Sequence, residues 1–213
     1  MACYLARGDF RVLLQGLPRN SVDLILTDPP YSRKSVHLYR DLAFLGYRVL
    51  KPGGYLACYA GHFHLDRVMI HIGASGLHWF WAIKRKHHHR PLRYASIVTY
   101  GNLILLWQKP PRRRLDRSVP DLVEPPLKEK DYHPWQQPLS ESELLIERLT
   151  DPGALIVEPF LGSGTVAVAA IRKQRHVIGI EINELVFDRA QRRIQRALAA
   201  LRAEEEDELI LVR

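Results

Sequence analysis

Short hydrophobic runs alternate with amphipathic stretches along most of the chain. Runs of β-branched and aliphatic residues predict buried strands, and apolar residues that recur every three or four positions predict helices. The predicted strands are 22–27, 55–59, 79–84, 96–100, 103–107, 154–158 and 176–180. The predicted helices are 36–50, 62–74, 140–149, 164–173 and a long one from Glu184. This alternation is typical of a mostly parallel sheet covered by helices.

Local residues set some of the predicted boundaries. Ser140 and Glu143 have the spacing of a capping box, so a helix is predicted to begin at Ser140. A proline and two glycines within 51–54 end the helix that precedes them. The segment 109–138 keeps neither hydrophobic period and is predicted to be a connector or a binding loop.

The size of the chain suits one hydrophobic core better than two. It has 213 residues, of which 46% are hydrophobic, and we predict a single domain over 1–213. Cys3 and Cys58 are too few for a disulfide framework. The sequence contains neither a signal-peptide pattern nor an apolar run of about 18 residues. These features predict a soluble, cytoplasmic protein without a membrane partner.

Basic residues outnumber acidic ones by 31 to 23, and the net charge of +8 makes a polyanion a reasonable partner. A solvated basic surface is the alternative. The segments 84–93 and 109–138 carry basic clusters and are candidate DNA-binding loops. Histidines 87–89 do not predict a metal site, because consecutive side chains diverge and no cysteine pair accompanies them. The residues predicted to contact phosphate are Lys84, Arg85, Lys86, Arg90, Arg112, Arg113 and Arg114.

A glycine-rich turn follows the predicted strand 154–158. Residues 158–165 read EPFLGSGT and join that strand to a helix, where backbone N–H groups converge with the positive end of the helix dipole. A polar or anionic ligand is expected there, and a side chain at Gly162 or Gly164 would block its approach to the backbone. The turn alone is a weak signal.

Glu181 strengthens this interpretation. It follows the predicted strand 176–180, 19 residues after Gly162, where its carboxylate can accept hydrogen bonds from both hydroxyls of a ribose. The turn and the acid together indicate a cofactor that contains adenosine. A dinucleotide fits less well, because Ala167 replaces the third glycine of the dinucleotide fingerprint. A strand, turn and helix with no ligand is the other alternative.

The sequence Asp28-Pro29-Pro30-Tyr31 follows the predicted strand 22–27, at the edge of the sheet where α/β proteins bind substrates. The exocyclic amine of adenine or cytosine is a poor nucleophile, because its lone pair is delocalised into the ring. Asp28 and the Pro29 carbonyl can accept hydrogen bonds from the two N–H groups of the amine, which frees the lone pair for attack on a sulfonium methyl. The two prolines keep the turn rigid, so both acceptors stay oriented.

Tyr31 is predicted to stack on a base that has been rotated out of the duplex. The structural alternative is a proline turn closed by an exposed tyrosine.

In this order, the motifs resemble the β class of DNA amino-methyltransferases, in which DPPY precedes FxGxG. The similarity covers nearly the whole chain: Gly8-Asp9, 21–31, 48–54, 133–138, 158–165 and 179–183. It implies a three-layer α/β, Rossmann-like methyltransferase fold with a mostly parallel, seven-stranded sheet. The motif order is circularly permuted relative to methyltransferases that begin with the cofactor motif.

The resemblance implies methyl transfer from S-adenosylmethionine to DNA. Asp28 favours adenine as the target, and cytosine-N4 and RNA are alternatives. A restriction-modification setting is also typical of the class. The implied catalytic residues are Asp28, Pro29, Pro30 and Tyr31. The implied cofactor-binding residues are Asp9 for the adenine, Glu181 for the ribose, the Gly162 turn for the methionine portion, and otherwise Asp28, Glu158, Phe160, Ser163, Gly164, Thr165 and Ile182.

The chain departs from the family pattern in several places. Glu158 replaces the usual aspartate, and Trp135 and Gln137 alter a His-Pro-Thr-x-Lys-Pro pattern, so a lysine for the cofactor carboxylate is missing. The segments between the two halves are shorter than the usual target-recognition region. The resemblance therefore implies slight sequence discrimination, or discrimination supplied by a homodimer or a separate specificity subunit. An idle DNA-binding subunit of the same fold and a dehydrogenase are the remaining alternatives.

Overall fold

The computed structural model describes residues 1–86, 92–94, 96–114, 117–124 and 138–211. Predictions for Arg90, for histidines 87–89 and for residues 133–137 lie outside the described residues. Parts of the predicted loops 84–93 and 109–138 lie outside them as well.

The chain forms ten strands and six α-helices within the described residues. The strands are β1 (Cys3–Arg7), β2 (Val22–Thr27), β3 (Leu50–Ala60), β4 (His78–Lys86), β5 (Leu92–Tyr94), β6 (Ile97–Thr99), β7 (Gly101–Gln108), β8 (Leu122–Val123), β9 (Leu155–Glu158) and β10 (His176–Glu181). The helices are α1 (Phe10–Leu13), α2 (His37–Val49), α3 (Leu65–Gly73), α4 (Leu139–Leu149), α5 (Thr165–Arg172) and α6 (Glu184–Leu211).

The main sheet has eight strands in the order β1-β10-β9-β2-β3-β7-β4-β8. The first five are parallel, β7 runs antiparallel to both β3 and β4, and β8 is parallel to β4. The parallel strands therefore define two edges of the sheet. We call the edge at which they end the carboxyl edge and the edge at which they begin the amino edge.

Helices cover both faces of this sheet. α4, α5 and α6 supply apolar side chains such as Leu145, Ala167 and Ile194 to the core on one face. The other face is covered by α1, α2 and α3, which contribute for example Phe10 and Leu42. The predicted three-layer α/β class with a mostly parallel sheet is confirmed. None of the helices among the described residues has a stretch long and apolar enough to cross a membrane.

The sheet has eight strands and not the predicted seven. The sequence predicted neither β1, at one edge of this sheet, nor β5, nor the two-residue strand β8, which pairs with Lys84 and Arg85 of β4. Two residues are too few to produce a recognisable hydrophobic period. The predicted strand 96–100 was expected to belong to the one sheet of the fold, but β6 pairs with β5 in a separate two-stranded sheet. Its Ile97 and Val98 are accordingly exposed.

Two predicted boundaries are corrected. α4 begins at Leu139 with Pro138 as its N-cap, and no side chain caps it. Ser140 therefore lies in the first turn and is not the N-cap, and the predicted capping box is wrong. Pro138 has no N–H that a capping side chain could bind. β3 begins at Leu50, because the Gly53 N–H donates to the Lys109 carbonyl oxygen at 2.9 Å and extends the strand back through the predicted turn.

Candidate functional site

The two predicted motifs leave neighbouring parallel strands. β2 and β9 pair with Ile25 opposite Val157, and Asp28 and Phe160 each follow three residues later. Adjacent strands lie about 4.8 Å apart, so the Asp28 turn and the glycine turn emerge side by side at the carboxyl edge. β10 pairs with the other side of β9 and brings Glu181 to the same edge.

Backbone amides hold the Glu181 carboxylate in place. Oε2 accepts a hydrogen bond from the Gly162 N–H at 3.0 Å, and Oε1 accepts one from the Asn183 N–H at 2.9 Å. A carboxylate has about four lone-pair sites, so each oxygen can accept a further donor. The half-buried carboxylate is thus oriented to receive a ligand that carries two neighbouring hydroxyls.

The two glycines of the turn have different functions. Gly162 has a φ of +52°, and a Cβ built there would come within 4 Å only of the Phe160 carbonyl oxygen, at 3.8 Å. Gly164 has a φ of +76°, and its Cβ would lie 2.9 Å from Cδ1 of Ile194. Gly162 therefore borders open space that can receive a ligand, whereas Gly164 allows the turn to pack against α6.

Glu158 is buried beneath this turn, with 4% of its surface exposed. Its Oε2 accepts a hydrogen bond from the Ala167 N–H of α5 at 3.1 Å. Burial raises the pKa of Glu158 well above its ordinary value, although hydrogen bonds from the backbone of Ala167 and Val166 oppose the shift. Glu158 was predicted to bind the cofactor, and in this structure its side chain links the end of β9 to the backbone of α5.

Replacing Glu158 with glutamine should change how stability depends on pH. Because the folded-state pKa is raised, the folded protein binds this proton more tightly than the unfolded chain, and the resulting stability is lost as the pH rises above about 4.5 toward the folded pKa. We expect Glu158→Gln to gain stability relative to the wild type as the pH increases. Urea unfolding at a series of pH values measures this difference. Glu143→Gln on α4 is the control, and parallel profiles for Glu158→Gln and the wild type would contradict the expectation.

Asp28 and Tyr31 are hydrogen-bonded to each other. The Tyr31 hydroxyl donates to Oδ1 of Asp28. The Tyr31 side chain lies against Gly61, where an added Cβ would be 3.2 Å from the Tyr31 Cβ. Burial, followed by the negative charge of Asp28, raises the pKa of Tyr31, which keeps the hydroxyl protonated and donating. One oxygen of the predicted amine acceptor is therefore engaged by the tyrosine in this structure. Of the two prolines between them, Pro29 is buried and Pro30 is exposed.

A buried ion pair lies within electrostatic reach of this motif. Arg85 Nε donates to Oε2 of Glu141 at 2.7 Å, and the Tyr59 hydroxyl donates to Oε1 of the same carboxylate. Glu141 is 1% exposed and Arg85 is 7% exposed. Burial raises the pKa of Glu141 despite the opposing effect of Arg85, and the charge of Asp28 adds to the increase. The sequence analysis did not identify Glu141 or Tyr59, because neither belongs to a recognisable motif.

The predicted phosphate contacts do not form one surface. Lys84 and Lys86 lie on β4 near the carboxyl edge, where Lys86 pairs with Glu124 at 3.0 Å. The structure contradicts the prediction for Arg85, because its guanidinium is buried with Glu141. Residues 112–114 follow the end of β7 and lie at the amino edge, at the opposite end of the strands from Asp28.

Asp9 and Ile182 follow the ends of the neighbouring strands β1 and β10, and Glu181 is the last residue of β10. Asp9 caps α1 by accepting a hydrogen bond from the Arg11 N–H at 2.8 Å, and it also pairs with the Arg11 guanidinium. Hydrogen bonding to Arg11 lowers the pKa of Asp9. Ile182 is 69% exposed and presents apolar surface beside Glu181. The Phe160 ring packs against Phe10, with ring centroids 5.0 Å apart.

Arg193 of α6 is a residue that sequence reasoning missed. Its Nη1 donates to the Ser163 carbonyl oxygen at 3.0 Å and to Oγ1 of Thr165 at 2.9 Å. Arg193 thus places a positive charge against the glycine turn. The sequence did contain a signal for it: Arg193 lies three residues after Ala190 and directly before Ile194, so a charged residue falls beside the apolar face of the predicted helix.

Comparison with known proteins finds similarity to the same group of enzymes. Residues 105–192 match the model of the N6/N4 methyltransferase family, described as DNA methylase. YubD of Escherichia coli K12 is 28% identical over 209 residues, covering 90% of this chain and 91% of that protein. The resemblance to the DNA amino-methyltransferases is confirmed.

Two solved structures show that the architecture is the methyltransferase fold. The cytosine-N4-specific PvuII DNA methyltransferase superposes with a TM-score of 0.79 at 21% identity, covering 90% of this chain and 86% of that one. A Thermus thermophilus protein crystallised with S-adenosyl-L-methionine superposes with a TM-score of 0.77 at 23% identity, covering 92% of this chain and 94% of that one. At these identities, the likeness to the methyltransferases establishes the Rossmann-like fold.

Proposed function

We propose that this chain transfers the methyl group of S-adenosylmethionine to an exocyclic amine in DNA, with N6 of adenine as the target. The observation that carries the proposal is the emergence of the Asp28 turn and the Gly162 turn from neighbouring parallel strands. A methyl donor and an amine acceptor can therefore meet at one edge of the sheet. Both turns belong to the same sheet, which supports a single methyltransferase domain over 1–213.

The residues at the carboxyl edge fit S-adenosylmethionine. Glu181 has acceptor capacity for the two ribose hydroxyls, and the open space in front of Gly162 leaves room for the methionine portion. Ile182 directly follows Glu181, and Phe160 lies two residues before Gly162. The exposed apolar side chain of Ile182 and the ring of Phe160 suit the flat faces of adenine. When bound, the cofactor supplies a methyl group on a positively charged sulfur.

Asp28 and the Pro29 carbonyl position the target amine. The Asp28 carboxylate has lone pairs beyond the one that accepts the Tyr31 hydroxyl, so it can accept one amine N–H while the Pro29 carbonyl accepts the other. The Tyr31 ring is proposed to stack on the base, which contributes on the order of 1–3 kcal/mol. Held by Asp28 and the Pro29 carbonyl, the amine would direct its lone pair at the methyl group that bound S-adenosylmethionine would supply, and its proton would pass to solvent after transfer. Alignment of two bound reactants contributes roughly 7–11 kcal/mol, so positioning is the main catalytic effect.

Arg193 is proposed to replace the lysine that the chain lacks. Its guanidinium, held at Ser163 and Thr165, would attract the carboxylate of the methionine portion. We expect Arg193→Ala to weaken binding of S-adenosylhomocysteine about tenfold, because a charge-assisted hydrogen bond contributes about 1.5–3 kcal/mol. Binding of 5′-methylthioadenosine, which lacks the amino-acid portion, should change little. Isothermal titration calorimetry measures both affinities.

Arg192→Ala is the matched control, since Arg192 is the exposed neighbour of Arg193 on α6. An equal loss of affinity for both compounds in Arg193→Ala would indicate a general disturbance of the turn and would contradict a role toward the carboxylate.

The decisive experiment incubates the protein with labelled S-adenosylmethionine and duplex DNA, or with RNA, and identifies the modified nucleoside after digestion. N6-methyladenine is the expected product. N4-methylcytosine would retain the mechanism and change the base, an outcome that the likeness to the PvuII enzyme makes worth resolving. Absence of cofactor binding and of transfer to either polymer would reject the proposal and favour an idle subunit.

A further inference from the structure

The amino edge of the sheet carries a cleft that the proposed methyl transfer does not use. The cleft has a volume of about 280 Å³ and lies where β2 and β3 begin and where residues 151–154 lead into β9. Asp23 and Gly54 line it, near the starts of β2 and β3, whereas Asp28 follows the opposite end of β2. We call this feature the amino-edge cleft.

Buried hydrogen bonds fix one wall of the amino-edge cleft. Gln108 is fully buried, and its Nε2 donates to the Gly53 carbonyl oxygen and to the Arg113 carbonyl oxygen, each at 3.0 Å. Gly53 has a φ of +80°, and a Cβ there would lie 2.7 Å from the Cβ of Arg113. The main chain at Arg113 is therefore held in a defined position against β3, and Arg113 and Arg114 line the cleft.

Basic side chains exceed acidic ones among the described residues of the lining. The basic residues are Lys51, Arg113, Arg114, Arg117 and Arg148, and the acidic ones are Asp23 and Asp151. Each acid is already engaged: Lys51 lies 2.8 Å from Asp23, and Arg113 and Arg117 share Asp151. The cleft therefore carries an excess of positive charge that these two carboxylates do not neutralise.

Two of the basic groups have spare capacity. Arg114 is exposed and forms no ion pair with any described residue. Nε of Arg148 is buried and has no hydrogen-bond partner within the described part of the chain. A buried donor without a partner is costly, so an anion that accepted this N–H would stabilise the site.

Arg175 is a further arginine next to the cleft. Burial, followed by the positive charge of Arg117, lowers the pKa of Arg175. Arg175 is 4% exposed, and its Nε donates to Oγ1 of Thr150, a residue that lines the cleft. An anion bound between Arg114, Arg117 and Arg148 would relieve this repulsion.

We propose that the amino-edge cleft is a binding site for a phosphate group. Guanidinium groups match phosphate in geometry and form charge-assisted hydrogen bonds with it, and three arginines from α4 and from the segment after β7 converge on the cleft. The phosphate comes either from a free phosphate compound or from the backbone of a nucleic acid. The proposal does not depend on methyl transfer, because the site lies at the other end of the strands from Asp28.

The first test uses pyrophosphate as the probe and the thermal unfolding of the full chain as the readout. Pyrophosphate should stabilise the wild type, and Arg114→Glu should weaken its affinity by about tenfold or more, as expected from the loss of one charge-assisted contact. Arg196→Glu makes the same charge change on an exposed position of α6 and is the matched control. The control should respond to pyrophosphate like the wild type.

The second test identifies the source of the phosphate. The affinity for a DNA duplex is measured as a function of salt concentration for the wild type and both variants. If nucleic acid occupies the cleft, Arg114→Glu should reduce the slope of the logarithm of affinity against the logarithm of salt by about 1. An unchanged slope together with the pyrophosphate effect supports a free phosphate compound. No response of the wild type to pyrophosphate together with an unchanged slope, or equal effects of Arg114→Glu and Arg196→Glu in both tests, would overturn the proposal.

Discussion

Asp28→Ala is expected to reduce the rate of methyl transfer by about 10²–10³-fold or more, while S-adenosylmethionine binds with nearly unchanged affinity. Removal of a single preorganised hydrogen-bonding group from a catalytic site typically costs 10²–10³ in kcat, and Asp28 supplies a charged acceptor. Glu181 and Gly162, which we propose to hold the cofactor, are hydrogen-bonded to each other, so loss of the Asp28 carboxylate should leave their arrangement intact. Single-turnover rates with labelled cofactor and saturating DNA measure the loss, and calorimetry measures cofactor binding.

Tyr31→Phe is the companion variant for this prediction. It removes the hydroxyl that occupies Oδ1 of Asp28 but leaves the aromatic ring for stacking. Its transfer rate should stay within severalfold of the wild-type rate, because the Asp28 acceptor and the stacking ring both remain. A rate for Asp28→Ala close to that of the wild type would show that Asp28 is not the amine acceptor.

The elements that position the site could be predicted from local patterns. The strand 22–27 is built around the apolar run Leu24-Ile25-Leu26, and β2 has the predicted bounds in the structure. Parallel pairing between β2 and β9 connects residues that are more than a hundred positions apart, and it follows from the α/β pattern only as a class of fold. The motif resemblance supplied the remaining step, which placed Asp28 and Gly162 together.

The parts that could not be predicted depend on contacts between distant side chains. Arg85 sits in a run of basic residues that was predicted to contact phosphate, yet Glu141 on α4 neutralises it inside the core. Gln108 appears in the sequence as an ordinary polar residue at the end of a strand, and its role emerges only from its bonds to Gly53 and Arg113. Hydrophobic periodicity reports burial of apolar residues and carries no signal for buried polar pairs.

Arg85→Ala is expected to lower the free energy of unfolding by about 3–5 kcal/mol, the usual effect of removing one partner from a buried ion pair. The change leaves the Glu141 carboxylate, which is 1% exposed, with the Tyr59 hydroxyl but without a positive partner. Urea unfolding followed by circular dichroism measures the loss. A decrease below about 1 kcal/mol would contradict the role given to this pair.

A triple variant tests whether the loss arises from the unpaired charge. Arg85→Met, Glu141→Leu and Tyr59→Phe together replace the polar cluster with apolar groups of similar volume, so that the ion pair and the tyrosine hydrogen bond are removed together. Such replacements are often neutral or stabilising, so the triple variant should recover most of the stability that Arg85→Ala loses. Because the charge of Asp28 acts on Glu141, and that of Arg85 on Tyr31, the triple variant also separates stability from catalysis. A stable triple variant with a reduced kcat would mean that the buried pair sets the electrostatic environment of the Asp28 motif, whereas wild-type turnover would limit the pair to folding.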